Sequence, residues 1–279
     1  QTFQFDHSFV LNSLKSSMEG YVFHNQPLDT DDLLEQTVKL FNSCKTSLEL
    51  FDMLHNMRAS DHSTHAHSLN VALICRRIGK WLKVDAATLD TLTLCGLLHD
   101  IGKLKIPDEI LNKPDKYTDE EFDLVKRHTK FGYELLKTLN IDPHIKKAAL
   151  LHHERCDGSG YPLKATQKDL DDFSMVVAIA DVYDAMTAAR SYRAPLCPFQ
   201  VIERFEQEGL QKYKPKFILT FLQHIASTYQ NNRVLLSNGQ SANIVMLNQQ
   251  HLARPIVQLN DNSCIDLSTR LDLHIQSIL

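Results

Sequence analysis

The sequence lacks four features, and each absence argues against a class of protein. It has no surplus of positive charge, since 30 Lys and Arg against 34 Asp and Glu leave a net charge of −4, so we expect no DNA partner and no broad nucleic-acid-binding face. Its six cysteines form no C-x-x-C pair, which argues against a disulfide framework or zinc ribbon and fits a reducing compartment.

No apolar run approaches the roughly 18 residues of a membrane helix, and no signal peptide is visible. We therefore predict a cytoplasmic chain with no membrane segment, and Gln1 in place of methionine leads us to expect a piece of a longer parent.

Helical periodicity covers most of the sequence up to about residue 230. Apolar positions recur at helical spacing in the segments 28–57, 66–83, 86–98, 118–139, 143–153, 173–190 and 215–229. Asp29 or Thr30 is the candidate N-cap of the first segment, and Thr118 with Glu121 forms the pattern of a capping box. The sequence thus predicts a mainly α protein.

The period changes near Asn231. Three short segments then have strand character: RVLLS, SANIVML and RPIVQL. Asn238-Gly239 between the first two is a strong hairpin signal. We predict a small β-rich appendage over 231–279 that serves packing or supports a dimer, a catalytic domain over 59–230 and an N-terminal helical region over 1–58.

Histidine is abundant, and several polar residues end or interrupt otherwise apolar helices. Eight of the 14 histidines fall between residues 62 and 153. The polar residues of this kind are His67, His99, Asp100, His128, His152, His153 and Asp181. Buried imidazoles and carboxylates need partners, and divalent metal would supply them for the whole set. Any one histidine taken alone is more simply a satisfied core or capping residue.

The chemistry of these donors limits the metal. His and Asp ligands without thiolates suit iron, manganese, zinc, nickel or cobalt. A shared carboxylate can bridge two ions, and two-metal centres are suited to in-line displacement at phosphorus.

The motifs in this region resemble those of a known family. They are HSLNVA at 67–72, LLHDIGKLKIP at 97–107, His128 followed by Gly132, HHERCDGSGYP at 152–162 and IADVYDAMTAARSYR at 179–193. Together they are similar to the HD-GYP family of cyclic-dinucleotide phosphodiesterases, a branch of the HD-domain metal hydrolases. The resemblance covers roughly residues 60–215 and implies an HD-type helical bundle, here with an N-terminal helical extension.

The resemblance also implies a set of metal ligands. One ion would be held by His67, His99, Asp100 and Asp181. Asp100 would bridge to a second ion, completed by His128, His152 and His153. The cofactor expected is therefore two divalent ions (Fe, Mn, Ni, Co or Zn), between which a water of lowered pKa would attack the phosphodiester.

Other residues acquire roles in substrate binding from the resemblance. Lys103 would neutralise a phosphate oxygen and act with Asp100 in catalysis, although a solvated lysine is the simpler alternative. Arg190 and Arg193 would bind phosphate or a guanine edge, unless they only complement a helix C-terminus. Asp184 would orient a metal ligand or the substrate.

The turn that follows His153 has two interpretations. Its glycines allow close approach and positive φ, and Pro162 fixes the direction in which the chain leaves it. On the first interpretation, the turn only holds the end of the predicted helix 143–153 in place. Tyr161 could instead face the substrate base or a partner domain.

One position departs from the family pattern. Members that bind a third metal carry a glutamate where this sequence has Ser63. Serine cannot replace a carboxylate ligand, so we predict a two-metal centre. Asp61, His62 and His65 remain alternative donors for a third ion.

The function implied is hydrolysis of a cyclic dinucleotide to a linear product. Cyclic di-GMP and 3′,3′-cyclic GMP-AMP both remain open as substrates. The alternatives are a cyclic-dinucleotide-binding adaptor with little turnover and a general HD nucleotide phosphohydrolase. Candidate protein partners are a second copy of the chain and a GGDEF-type cyclase domain that meets the GYP loop.

Overall fold

The computed structural model describes residues 2–58, 63–188 and 195–279. The described chain is mainly helical and ends in one small antiparallel sheet, which confirms the predicted fold class. Four residues singled out from the sequence lie outside the described residues: Asp61, His62, Arg190 and Arg193.

The helices follow one another through short connections. They are α1 (Thr2–His24), α2 (Thr30–Ser43), α3 (Ser47–Arg58), α4 (Thr64–Trp81), α5 (Ala86–Leu98), α6 (Asp108–Leu111), α7 (Asp119–Lys126), α8 (His128–Leu136), α9 (Pro143–Leu151), α10 (Asp172–Thr187), α11 (Pro198–Glu208) and α12 (Pro215–Thr228). Short 3-10 helices cover Ile101–Lys105 and Leu210–Lys212. None of the described helices combines the length and apolarity needed to cross a lipid bilayer.

Two segments predicted as single helices are each divided in two. In 28–57 the chain becomes extended at Cys44, and the Glu49 carboxylate accepts the N–H groups of Lys45 and Thr46, which starts α3. In 118–139 the helix is interrupted at Arg127, and His128 begins α8. Apolar periodicity did not reveal these breaks because the core-facing pattern continues across them.

The first helix was not identified by periodicity. α1 buries Val10, Leu14 and Met18 in the main hydrophobic core, so the stripe that it contributes is narrow. The same face also buries one polar residue, His7, which is 2% exposed.

The centre of the bundle is the pair α4 and α5. From His65 to Arg76 every residue of α4 is buried, because α1, α5, α10 and α12 pack around it. α4 and α5 approach closely at Gly96, where an added Cβ would lie 2.6 Å from the Cα of Ala72. This close contact brings the C-terminal end of α5 towards the N-terminal half of α4.

A second close contact brings α8 against the 3-10 helix Ile101–Lys105. A Cβ added at Gly102 would lie 1.9 Å from the carbonyl oxygen of His128 and 2.4 Å from the nitrogen of Gly132. Glycine is therefore required at position 102 for the backbone carrying His128 to lie beside His99-Asp100.

The C-terminal sheet packs against α11. Its strands β1 (Arg233–Leu236), β2 (Ser241–Met246), β3 (Ile256–Leu259), β4 (Cys264–Asp266) and β5 (Ile275–Ile278) occur in the order β4-β3-β2-β1-β5. The predicted hairpin between β1 and β2 is confirmed, and its Gly239 has a φ of +84°. Arg254 binds Glu203 of α11 at 2.6 Å. The sequence patterns identified β1, β2 and β3 but not β4, β5 or α11.

We predict that Gly102→Ala destabilises the protein more than Gly132→Ala does. The first change places a Cβ inside contact distance of rigid backbone, and overpacking of this kind costs ~1–3 kcal/mol. The second Cβ would meet no atom closer than 3.3 Å, and alanine is the better helix former. Chemical denaturation of the two variants measures both free energies of unfolding, and equal stability of the two would contradict the contact.

Candidate metal centre

One carboxylate, that of Asp100, lies at the middle of the polar residues. It directly follows His99 at the end of α5 and is 1% exposed. Its Oδ2 atom lies 2.6 Å from Lys103 Nζ, 3.3 Å from His99 Nε2 and 3.6 Å from His67 Nε2. Its Oδ1 atom faces the other way, 3.3 Å from His128 Nε2. The two oxygens of one side chain therefore face two different groups of histidines.

These groups have the composition and spacing of metal sites. The donor atoms within each lie within 4.8 Å of one another. The first group is His67, His99 and Asp100, and the second is Asp100, His128, His152 and His153. Asp100 belongs to both.

Asp181 of α10 joins the two groups at another point. Its Oδ1 atom lies 3.0 Å from His67 Nε2, and its Oδ2 atom lies 3.7 Å from His153 Nδ1. Like Asp100, it presents one oxygen to each group.

Three of the histidines occupy the same local structure. Each follows the C-terminus of a helix and donates its Nδ1–H to a backbone carbonyl of the last turn. The pairs are His99 with Gly96 at 2.7 Å, His128 with Val125 at 2.6 Å and His152 with Ala148 at 2.9 Å. With the proton on Nδ1, the lone pair of Nε2 faces the centre and is free to bind a cation.

A fourth histidine, His67, is oriented by a carboxylate. Its Nδ1 atom donates to Asp184 Oδ2 at 2.7 Å, and the other oxygen of Asp184 accepts from Asn70 Nδ2 at 3.1 Å. A carboxylate behind an imidazole is the usual support of a metal-ligating histidine. Asp184 itself is 1% exposed and lies behind His67.

Both central carboxylates remain ionised. Burial acts to raise the pKa of Asp100, but Lys103 and His99 outweigh it and hold that pKa well below the usual range. Burial likewise acts on Asp181, and the hydrogen bond from His67 with nearby His153 keeps its pKa well below normal.

The histidines of the second group are held neutral. Burial lowers the pKa of His128 to about 3, and it also lowers the pKa values of His152 and His153. Neutral imidazoles are the form in which histidine binds metal. His67 differs, because its hydrogen bonds to Asp181 and Asp184 outweigh burial and raise its pKa to about 9.

Within the described residues, two buried atoms at the centre have no hydrogen-bond partner. They are Asp100 Oδ1 and His99 Nε2. A buried polar atom without a partner costs about 1–3 kcal/mol, and a cation bound between the two groups would remove that cost. The donor set of imidazoles and carboxylates, without thiolates, fits a hard or borderline divalent ion.

The loop after His153 is organised around a buried glutamate. Glu154 is 0% exposed, and its carboxylate accepts the N–H of Leu163 at 2.6 Å and that of Ala165 at 3.0 Å. Gly160 must be glycine here, because an added Cβ would lie 2.4 Å from the Cα of Glu154. The loop therefore folds back onto the residue that follows the two histidines.

This folding places an aromatic ring beside the centre. Tyr161, which precedes a cis peptide bond to Pro162, stacks on the His153 ring with centroids 4.7 Å apart. Phe122 of α7 meets Tyr161 edge-on at 6.3 Å and is 44% exposed. The result is an aromatic wall at the edge of the metal centre.

The structure brings together most of the residues singled out from the sequence. His67, His99, Asp100, His128, His152, His153 and Asp181 surround one centre, Lys103 contacts it, and Tyr161 and Asp184 lie beside it. Ser63 caps α4 by accepting the N–H of Ala66 at 3.1 Å.

Sequence reasoning assigned no role to two buried residues of the site. Asn70 lies three positions after His67, on the same helix face, so helical spacing could have identified it. Glu154 directly follows His153, but its partners Leu163 and Ala165 lie across a loop whose path the sequence does not specify.

Comparison with known proteins agrees with this geometry. Residues 48–217 match the HD domain family. The chain is 35% identical over 178 residues to a cyclic di-GMP phosphodiesterase of Thermotoga maritima, covering 63% of this chain and 48% of that protein. It is 34% identical over 183 residues to 3′3′-cGAMP-specific phosphodiesterase 2 of Vibrio cholerae, covering 64% of this chain and 35% of that protein. The chain thus spans half or less of the length of these two curated relatives.

A solved structure has the same fold. An HDG"Y"P protein from Bdellovibrio bacteriovorus superposes with a TM-score of 0.63 over 78% of this chain and 70% of that one, at 19% sequence identity. At this identity the likeness concerns the fold, and it agrees with the HD-type bundle predicted from the sequence.

We predict that Glu154→Gln destabilises the loop without altering the ligand side chains directly. An amide retains one acceptor, so one of the two N–H donors would face an NH₂ group and lose its bond, at a cost of ~1–3 kcal/mol. Hydrogen exchange at Leu163 and Ala165 should accelerate. Exchange as slow as in the unmodified protein would show that Glu154 does not hold the loop.

We also predict that divalent metal displaces a proton from His67. Since hydrogen bonds to Asp181 and Asp184 outweigh burial and raise its pKa to about 9, the ring carries a proton on Nε2 at neutral pH and must lose it to bind metal. The apparent affinity for Mn²⁺ should therefore rise as the pH increases from 7 to 9 and level off above 9. Calorimetry in buffers of different ionisation enthalpy measures the release, and His67→Gln should lack this component.

Proposed function

This chain belongs to the HD domain family, and from that premise we propose that it is a metal-dependent phosphodiesterase of bacterial cyclic dinucleotides. The substrate would be cyclic di-GMP, 3′,3′-cyclic GMP-AMP or both, opened to a linear product. The observation that carries the proposal is the pair of His and Asp groups sharing Asp100. The names of the relatives, which span cyclic di-GMP and cGAMP phosphodiesterases, supply the substrate class.

The proposed cofactor is two divalent ions. His67, His99, Asp100 and Asp181 would hold one, and Asp100, His128, His152 and His153 the other. Fe, Mn, Ni, Co and Zn all suit these donors, so their identity stays open. When bound, such ions would supply a water nucleophile of lowered pKa and stabilise charge on the phosphate.

The chain's own residues have separate tasks in this proposal. Asp100 and Asp181 provide fixed negative charge that keeps two cations close together. Lys103 contacts Asp100, and its side chain is 21% exposed, so its ammonium can neutralise a phosphate oxygen at the edge of the site. This position favours the catalytic interpretation of Lys103 over that of a solvated lysine.

Substrate contacts are assigned by position. Tyr161 and Phe122 form an apolar wall on which a nucleobase could stack. Of the two roles left open for Asp184, we propose orientation of His67, because Asp184 is buried and bonds both His67 and Asn70. Arg190 and Arg193 keep their proposed role as substrate cations on the sequence resemblance alone.

The remaining predictions from the sequence keep that status. They are the division at residues 58 and 230, a homodimer, and a GGDEF-type cyclase domain as a partner for the GYP loop. An adaptor with little turnover and a general nucleotide phosphohydrolase are the alternatives that the test must separate.

We expect the purified chain to hydrolyse a cyclic dinucleotide when supplied with Mn²⁺ and to lose activity in chelator. Asp100→Ala removes the shared ligand and should abolish turnover. Lys103→Met keeps the ligands and should lower kcat about 100-fold, the usual effect of losing one transition-state contact. Product chromatography on cyclic di-GMP and 3′,3′-cyclic GMP-AMP, run in parallel, measures both the rate and the preference.

The controls separate the alternatives. Binding of a cyclic dinucleotide with no product in any metal would favour the adaptor. Equal or faster hydrolysis of mononucleotides would favour the general phosphohydrolase. Full activity of Asp100→Ala would contradict the proposed centre.

A further inference from the structure

A chain of buried polar side chains connects the first helix to the metal centre. His7 of α1 is 2% exposed, Asn70 of α4 0% and Asp184 of α10 1%. They form a line that ends at His67, which lies 60 residues after His7 in the sequence. Three helices thus meet through polar contacts at one point behind His67.

The hydrogen bonds that join these four residues converge on Asp184, which accepts from both sides. His7 Nε2 lies 3.4 Å from Asn70 Oδ1, which can only accept, so His7 donates. Asn70 then donates through Nδ2 to Asp184 Oδ1 at 3.1 Å. Asp184 Oδ2 accepts from His67 Nδ1 at 2.7 Å. Each contact fixes the orientation of the next group.

Buried polar groups such as these are costly when they lack hydrogen-bond partners. Burying an amide or an imidazole without partners costs roughly 1–3 kcal/mol by protein mutational data. The neighbouring buried positions of α1 are apolar: Val10, Leu14 and Met18. An apolar residue at position 7 would pack on α4 without that cost, but it would leave the oxygen of Asn70 without its donor.

We propose that His7 and Asn70 are positioning residues for His67 and that α1 is a structural part of the metal centre. The inference rests on the proposed role of His67 as a metal ligand. By fixing the amide of Asn70, His7 holds the carboxylate of Asp184 in the position that orients the His67 ring. The residues act through Asp184 and do not contact the ions themselves.

The arrangement makes the two ion sites unequal. His67 belongs to the first group alone, together with His99 and Asp100. His128 and His152 of the second group are oriented by carbonyls at the ends of α7 and α9. Loss of the His7 contact should therefore weaken one of the two sites and leave the other nearly unchanged.

The test compares substitutions that remove a hydrogen bond between α1 and the rest of the bundle. His7→Leu removes the donor to Asn70, and His7→Gln retains an N–H near the position of Nε2. Tyr21→Phe is the matched control, because Tyr21 of α1 donates to the carbonyl of Leu135 at 2.5 Å, away from His67. Asn70→Ala removes the residue that links His7 to Asp184 in this line of hydrogen bonds.

Mn²⁺ binding by calorimetry, with the absorption spectrum of the Co²⁺ form, provides readouts that do not depend on turnover. We expect Asn70→Ala to weaken one of two sites by about 10-fold, at the lower end of the range for supporting residues. His7→Leu should weaken the same site several-fold and change the Co²⁺ spectrum. His7→Gln and Tyr21→Phe should bind both ions as the unmodified chain does.

Other outcomes would overturn the proposal. These are unchanged binding in both His7→Leu and Asn70→Ala, equal weakening of both sites, and equal weakening in Tyr21→Phe. If His7→Leu does not fold, Asn70→Ala against Tyr21→Phe decides the question. An unmodified chain that binds two ions but opens no cyclic dinucleotide would refute the proposed function only, whereas one that binds no divalent ion would refute both.

Discussion

The whole centre depends on keeping one carboxylate charged inside the bundle. Asp100 is 1% exposed, and an isolated charge at such a depth would neutralise itself by taking up a proton. Against that burial, Lys103 and His99 hold its pKa low, and the Nε2 atoms of four histidines lie within 3.6 Å of its two oxygens. The packing follows from that requirement. α4, α5 and α8 must approach closely enough for their side chains to reach one residue, and this requires the tight contacts at Gly96 and Gly102.

The ends of three helices provide a second source of negative potential. α5, α7 and α9 all terminate just before a histidine of the centre, namely His99, His128 and His152. The C-terminal end of a helix has partial negative charge and carbonyls without intrahelical partners. The carbonyls that accept from His99, His128 and His152 fix the tautomer of each imidazole, and the negative helix ends favour a cation at the point where they converge. At a helix end, a histidine thus finds both an acceptor for its Nδ1–H and a negative potential that favours a cation beside its Nε2.

The sequence singled out most of the side chains that the structure brings together, and what it missed has physical causes. The end of α5 at His99 was predicted correctly because the apolar run stops there and the HD motif follows. The break before His128 was missed because His128 itself contributes to it: its Nδ1–H takes the carbonyl of Val125, a bond that hydrophobic periodicity does not record. The link from His7 to Asn70 was not predictable, because it joins positions 63 residues apart and both residues look like ordinary polar positions. Arg190 and Arg193 lie outside the described residues, so their predicted contacts rest on the motif alone.

The two sides of the centre are supported by elements from different parts of the chain. On the His67 side the support is a line of side chains that begins in α1 and crosses α4 to α10. On the His153 side the support comes from backbone groups. The Glu154 carboxylate accepts the N–H groups of Leu163 and Ala165 in the following loop. Cys156 donates its N–H to the carbonyl of Lys212 at 2.8 Å. In the proposed two-ion centre, His67 is thus supported through side chains of three helices, whereas His153 is followed by a loop that backbone hydrogen bonds hold in place.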